Sequence, residues 1–272
     1  MKIGLGIITC NREHFFHKCF NSIDRSKVQS LIVVNDGSRL LEPPKDVTLI
    51  ENILEQGTDK KGVGVCKNIA LKYLTQEQQC DFIFLMEDDI FIKDNKVFDE
   101  YIQAYKETGI QHFNYALHGY YNLTKDRVHA IKCSIEYPNS KKISLYHNVL
   151  GAFSFYTRQV IEDVGLMDES YYNAMEHVDH TYQIIKKGYH PPFRWFADIE
   201  DSYKYLEDIV ENHQESEIRK NPNWVENFKK ACELFKEKNG FSVIDGTEKI
   251  AAFDDVKKAL KQIKTDGKAL YF

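Results

Sequence analysis

No run of apolar residues in this 272-residue chain is long enough to cross a bilayer, so no transmembrane segment is expected. The opening "MKIGLGIITCNRE" has too short an apolar segment for a secretory leader and runs straight into a polar turn. Cys10, Cys19, Cys66, Cys80, Cys133 and Cys232 form no C-x-x-C pair and no zinc-like spacing, and several sit in apolar stretches, so reduced thiols and a cytoplasmic address are expected. Positive charge is not in surplus either: 36 Lys and Arg stand against 41 Asp and Glu, which argues against a general polyanion binder but leaves local patches at Lys60-Lys61, Lys141-Lys142 and Lys186-Lys187. There is no internal repeat, low-complexity tract or strong linker. With 43% hydrophobic and 28% charged residues, the chain fits an ordinary globular protein with a sizeable core.

What is present is an alternation of short apolar runs and helical patterns. Residues 3–9, "SLIVVND", "VTLIEN" and "DFIFLMED" read as strands; residues 13–23 and "GVGVCKNIALKYL" read as helices. Strands separated by helices need crossovers, which predicts a mostly parallel sheet covered on both faces. Ligands bind such sheets at the carboxyl ends of the strands, where "TCNR", "NDGS" and "EDD" fall. A mixed second half follows, with a helix near 96–107, strands in "HFNYALHGYYN", "VHAIKCSIEYP", "KISLYHN" and "VLGAFSFYT", and helices over 158–165 and 176–187. Residues 198–223 are charged and lack apolar periodicity, which predicts a loop or lid, and two amphipathic helices close the chain. One domain over 1–197 with a lid and helical extension over 198–272 is the simplest division.

The most telling stretch is "FIFLMEDDIFI". Three adjacent acids interrupt buried apolar structure, where carboxylates repel one another and resist desolvation, so the arrangement asks for a cation. A hard divalent ion, Mg²⁺ or Mn²⁺, takes one or two carboxylates plus phosphate oxygens and water. Strand alternation would point Glu87 and Asp89 the same way and Asp88 elsewhere. At the other loops, Asn11 and Arg12 can meet a nucleotide, Asp36 can accept from a base N–H, and Lys67 can supply a donor or positive charge. A loop Asn and Arg, or N-D-G turn chemistry, are each weak alone.

In order and spacing, T-C-N-R, V-V-N-D-G-S, G-V-G-V-C-K-N, E-D-D and then "GAFSFYTRQVIEDVGLMDESYYNAMEHVDHTYQIIKKGY" resemble the GT-A fold glycosyltransferases, family 2 in particular, over roughly residues 2–189. The resemblance implies an α/β, Rossmann-like fold and sugar transfer from a nucleotide diphosphate donor, most naturally a UDP-sugar, with a divalent metal on the pyrophosphate. Carried onto this chain, it implies donor contacts from Thr9, Asn11, Arg12, Asp36, Lys67 and Asp88, with Arg219 of the lid joining them. Metal binding would fall to Asp89 and Glu87, with His213 as a C-terminal ligand. The acceptor stays open between a glycan precursor and a hydroxymethylated or glucosylated DNA base; the latter would place a phage-encoded chain in its host's cytoplasm.

One departure concerns the base. Many inverting relatives carry Glu-Asp where this chain has Glu176-His177, so His177 occupies the base position, and Asp179 or Glu176 is an alternative according to reach. Asp179 stands slightly ahead because it shares a helical face with His180. Asn173 and Glu176 also fit a capping box, which would make Glu176 structural. A sugar-nucleotidyltransferase is the nearest rival, but "TCNRE" lacks the Gly-rich loop that would hold a triphosphate. A non-catalytic sugar-nucleotide module would be expected to lose its acids first, and all three are present.

Overall fold

The structure is a computed structural model that describes residues 1–52, 61–139, 141–208 and 216–270. Its centre is a six-stranded sheet in the order β3-β2-β1-β4-β9-β6. The first four strands in that order are mutually parallel: β1 (Ile3–Thr9), β2 (Ser30–Asn35), β3 (Thr48–Glu51) and β4 (Phe82–Glu87). Helices α1 (Glu13–Asn21) and α2 (Val63–Lys72) supply crossovers. Because both faces are covered, β1 and β2 are buried at every residue. Gly6 is needed in β1, since a Cβ there would lie 2.7 Å from Ala70 Cβ on α2.

After β4 the chain makes β5 (Ile90–Ile92), α3 (Val97–Thr108) and β6 (His112–Asn114). Strands β7 (Cys133–Glu136) and β8 (Lys142–Tyr146) belong to a second sheet, and β9 (Phe153–Thr157) returns antiparallel between β4 and β6. Helices α4 (Arg158–Val164) and α5 (Glu176–Lys186) follow, then β10 (Phe196–Ile199), which completes the β10-β8-β7 sheet.

The region expected to be a loop or lid is partly a core element. Strand β11 (Leu206–Asp208) pairs antiparallel with β5, with Asp208 opposite Ile90. A three-residue strand with one buried residue carries no periodic signal, so charge is all that the local sequence shows. The expected division after residue 197 falls inside β10. Helices α6 (Glu217–Lys220), α7 (Trp224–Asn239) and α8 (Phe253–Asp266) end the described chain. Val256, Ala259, Leu260 and Ile263 of α8 join the main hydrophobic core, so the C-terminal helix is packed into the domain body. No helix among the described residues is long and apolar enough to cross a membrane.

Candidate active site

The strand order reverses at β1: the chain moves outward to β2 and β3, then returns to place β4 on the other side. The crevice at such a switch point is the expected ligand position. A cleft of about 1360 Å³ lies there, lined by Thr9, Arg12, Asp36 and the three acids on one side and by His118, Glu176, His177 and Arg219 on others.

Strand β4 ends at Glu87, and Asp88-Asp89 form a turn before β5, so strand alternation does not extend to Asp89. The three acids consequently divide between two cations, Lys67 for Glu87 and Arg12 for both Asp88 and Asp89. Glu87 meets Lys67 Nζ at 2.7 Å. Asp88, fully buried, accepts from Thr9 Oγ1 at 2.7 Å and from Arg12 Nη2. Asp89 Oδ2 accepts from Arg12 Nη1 at 3.1 Å, while its Oδ1 is buried with no hydrogen-bond partner. Burial pushes the Asp88 carboxyl up to about 7; Arg12 opposes that shift and Asp89 adds to it. Arg12 stays firmly cationic: burial works against its charge, and the three acids outweigh burial.

That orphaned Asp89 oxygen fits a divalent cation, which would satisfy the atom and offset the excess negative charge of the turn. Among the described residues no group of three or more His, Cys, Asp or Glu side chains converges as a ready metal cage. A site with a single carboxylate completed by phosphate oxygens and water suits Mg²⁺ or Mn²⁺. Glu87, expected to face the metal with Asp89, is instead engaged by Lys67, and His213 lies outside the described residues.

The loops at the ends of β1 and β2 are stitched together. Asn11, in left-handed backbone at φ 55°, accepts from Ser38 N at 2.7 Å, and Asn35 Oδ1 accepts from Gly37 N at 3.0 Å. Asp36 is buried on the cleft wall, where its two oxygens accept from the amides of Lys61 (3.2 Å) and Gly62 (2.8 Å) at the start of α2. Arg219 on α6 reaches the cleft and donates to Tyr121 Oη at 3.3 Å.

On the opposite wall, Glu176 and His177 open α5. Lys67, buried, approaches Glu176 Oε1 at 3.3 Å and donates to Gly151 O at 3.1 Å. His177 Nδ1 lies 3.1 Å from the same Glu176 oxygen. Burial works against ionisation of Glu176, but Lys67 and then His177 hold it well below the ordinary carboxylate range. The capping box is not formed: Asn173 Oδ1 accepts from Val63 N, and Met175 precedes the helix without a side-chain cap.

Asp179 is not brought to this wall. It is buried beneath α7, where it accepts from Lys238 Nζ at 2.7 Å, Asn239 Nδ2 at 3.0 Å and Gln183 Nε2 at 3.1 Å. His180 likewise turns to Gly165 O, at 2.9 Å. The polar residues of α5 thus point into different surroundings, because neighbours cover the helix on more than one side.

His118 and Asp208 belong to none of the motifs that mark the site in the sequence. His118 Nδ1 donates to Asp208 Oδ1 at 2.8 Å, and Asp208 Oδ2 accepts from Gly119 N at 2.6 Å. Burial opposes the charge, yet Asp89 and Asp208 push His118 up to about 9, so a cationic imidazole stands on the cleft beside the acidic turn. Only the β5 and β11 pairing brings Asp208 there, and nothing in the local sequence announces it.

No family model matches this chain, and no curated protein does. Solved structures do match. The chain is similar to TarS of S. aureus, residues 1–349, in complex with UDP, with 14% identity and a TM-score of 0.50 over 94% of this chain and 77% of that one. It is equally similar to a longer TarS structure, again at 14% identity and 0.50, covering 94% of this chain and 46% of that one. At that identity the likeness is one of fold. The chain has the GT-A fold, a mostly parallel α/β sheet with helices on both faces and a helical C-terminal region.

Proposed function

We propose that this protein is a glycosyltransferase that moves a sugar from a nucleotide diphosphate donor, a UDP-sugar first among candidates, to an acceptor hydroxyl. The observation that carries the reading is the buried, unpartnered Asp89 Oδ1 in a switch-point cleft, on a fold shared with a protein solved with UDP. Mn²⁺ or Mg²⁺ held by Asp89 would neutralise charge on the departing nucleoside diphosphate. Asp36 would face the base, and Asn11, Asp88 and Arg219 would shape the donor end; Lys67, expected there, is held instead by Glu87, Glu176 and the Gly151 carbonyl. Thr9 and Arg12 fix the acidic turn, and His118 adds positive charge beside it.

His177 is the base this geometry favours. It lines the cleft, its side chain is 22% exposed, and Asp179 is committed to α7. As the acceptor oxygen bonds to the anomeric carbon, its proton passes to His177 Nε2, and the carbon–oxygen bond to phosphate breaks with its electron pair leaving on the diphosphate. The product then has inverted configuration.

The test is a screen of nucleotide sugars with Mn²⁺ or Mg²⁺ for nucleoside diphosphate release, repeated with glycan acceptors and with hydroxymethylated or glucosylated DNA. His177→Gln should abolish transfer and spare UDP binding. A product that keeps the donor's anomeric configuration would overturn the base assignment.

A further inference from the structure

A chain of charge, buried at Lys67 and Glu176, runs from the acidic turn to the helix that carries His177. Glu87 ends β4, Lys67 projects from α2, and Glu176 opens α5, so one ammonium at 2.7 and 3.3 Å holds carboxylates from two separate elements. The same Glu176 oxygen meets His177 Nδ1 at 3.1 Å. Resting on the transferase reading above, we propose that Glu176 and Lys67 are positioning residues that fix His177 as its Nδ1–H tautomer, present Nε2 to the cleft, and tie this base to the acidic turn through Glu87.

The tautomer follows from donor and acceptor arithmetic. Glu176 is buried against a cation, so it is an anionic carboxylate and can only accept. The hydrogen in the 3.1 Å contact therefore belongs to His177 Nδ1, which leaves the lone pair of a neutral ring on Nε2. When Nε2 takes the acceptor proton, Glu176 lies against the imidazolium that forms, the role an orienting carboxylate plays in a catalytic triad.

Gly151 closes the arrangement from behind. A Cβ at that position would lie 2.8 Å from His177 Cγ, 2.9 Å from its Nδ1 and 3.0 Å from Lys67 Nζ, so no side chain fits while ring and ammonium keep their places. Its carbonyl also accepts from Lys67 at 3.1 Å. A counter-ion needed only for folding would neutralise Lys67 equally well without touching the imidazole.

The experiment uses the full chain with ¹⁵N-labelled histidine, no donor and no cation, with the His177 signal assigned by its loss in His177→Gln. Wild type, brought to a pH at which the His177 ring is neutral, should show Nδ1 protonated and Nε2 bare. In Glu176→Gln the Nε2–H form should rise roughly fivefold, because an amide both donates and accepts. Gly151→Ala, which leaves every charge in place, should move the ring off Glu176 and shift the tautomer in the same direction, and it serves alone should Glu176→Gln fail to fold. Once a donor is known, Glu176→Gln should lower kcat about tenfold or more while donor KM stays within about twofold. A wild-type Nε2–H tautomer, or a tautomer unmoved in both variants, overturns the proposal. Calorimetry with UDP and GDP separates the two claims: binding with an unmoved tautomer overturns this proposal alone, whereas binding of neither nucleotide overturns the transferase reading.

Discussion

Arg12 and Asp88 form a buried ion pair at the cleft floor, with Asp88 wholly inaccessible to solvent and Arg12 shared with Asp89. Removing the cation leaves the Asp88 carboxyl, already pushed up to about 7 by burial, either to take a proton or to stand charged in low dielectric, and breaking a buried pair from one side costs up to about 3–5 kcal/mol. Arg12→Gln should lose stability in that range by urea unfolding. Adding Asp88→Asn should recover a large part of it, because the stranded charge is then gone. Additive losses in the double variant would show that the two side chains are not coupled.

Asp36 links the end of β2 to the start of α2 through the amides of Lys61 and Gly62. Asp36→Ala should therefore do two things. Loss of hydrogen bonds to a charged acceptor should lower stability by about 1.5–3 kcal/mol. UDP affinity, measured by calorimetry, should fall by more than the affinity for other nucleoside diphosphates. Equal affinity for every nucleotide in variant and wild type would place base recognition elsewhere in the cleft.

The imidazoles of His112 and His190, like that of His180, are buried, and burial holds His112 well below its ordinary value and His190 down at about 4. Above pH 6.5 both are neutral whether the chain is folded or not. Below it the unfolded chain binds protons that the native state refuses, so stability falls as pH drops from about 6.5 through about 4. His190→Gln should flatten that slope in melting temperature against pH. A variant whose profile parallels wild type over that window would contradict the assignment.

The parallel half of the sheet was legible because its strands are short, apolar and separated by helical patterns, and the acids were legible because they break a buried run. Tertiary choices were not. Whether Glu87 would face a cation or Lys67 depends on where α2 lies, and Asp179 shared a predicted face with its neighbours until α7 covered it. His118 and Asp208 stand 90 residues apart and meet only through the β5 and β11 pairing, which no local period encodes.

The most direct measurement is nucleoside diphosphate release from UDP-sugars by wild type and Asp89→Asn, each with Mn²⁺ and after EDTA. Asp89 is the one acid of the turn with a buried oxygen left unpartnered. Wild type should turn over with the metal and fall to background in EDTA, and Asp89→Asn should lose about a hundredfold, roughly 3 kcal/mol of transition-state stabilisation, while remaining folded. Full wild-type turnover in EDTA, or near wild-type rates in Asp89→Asn, would contradict the account.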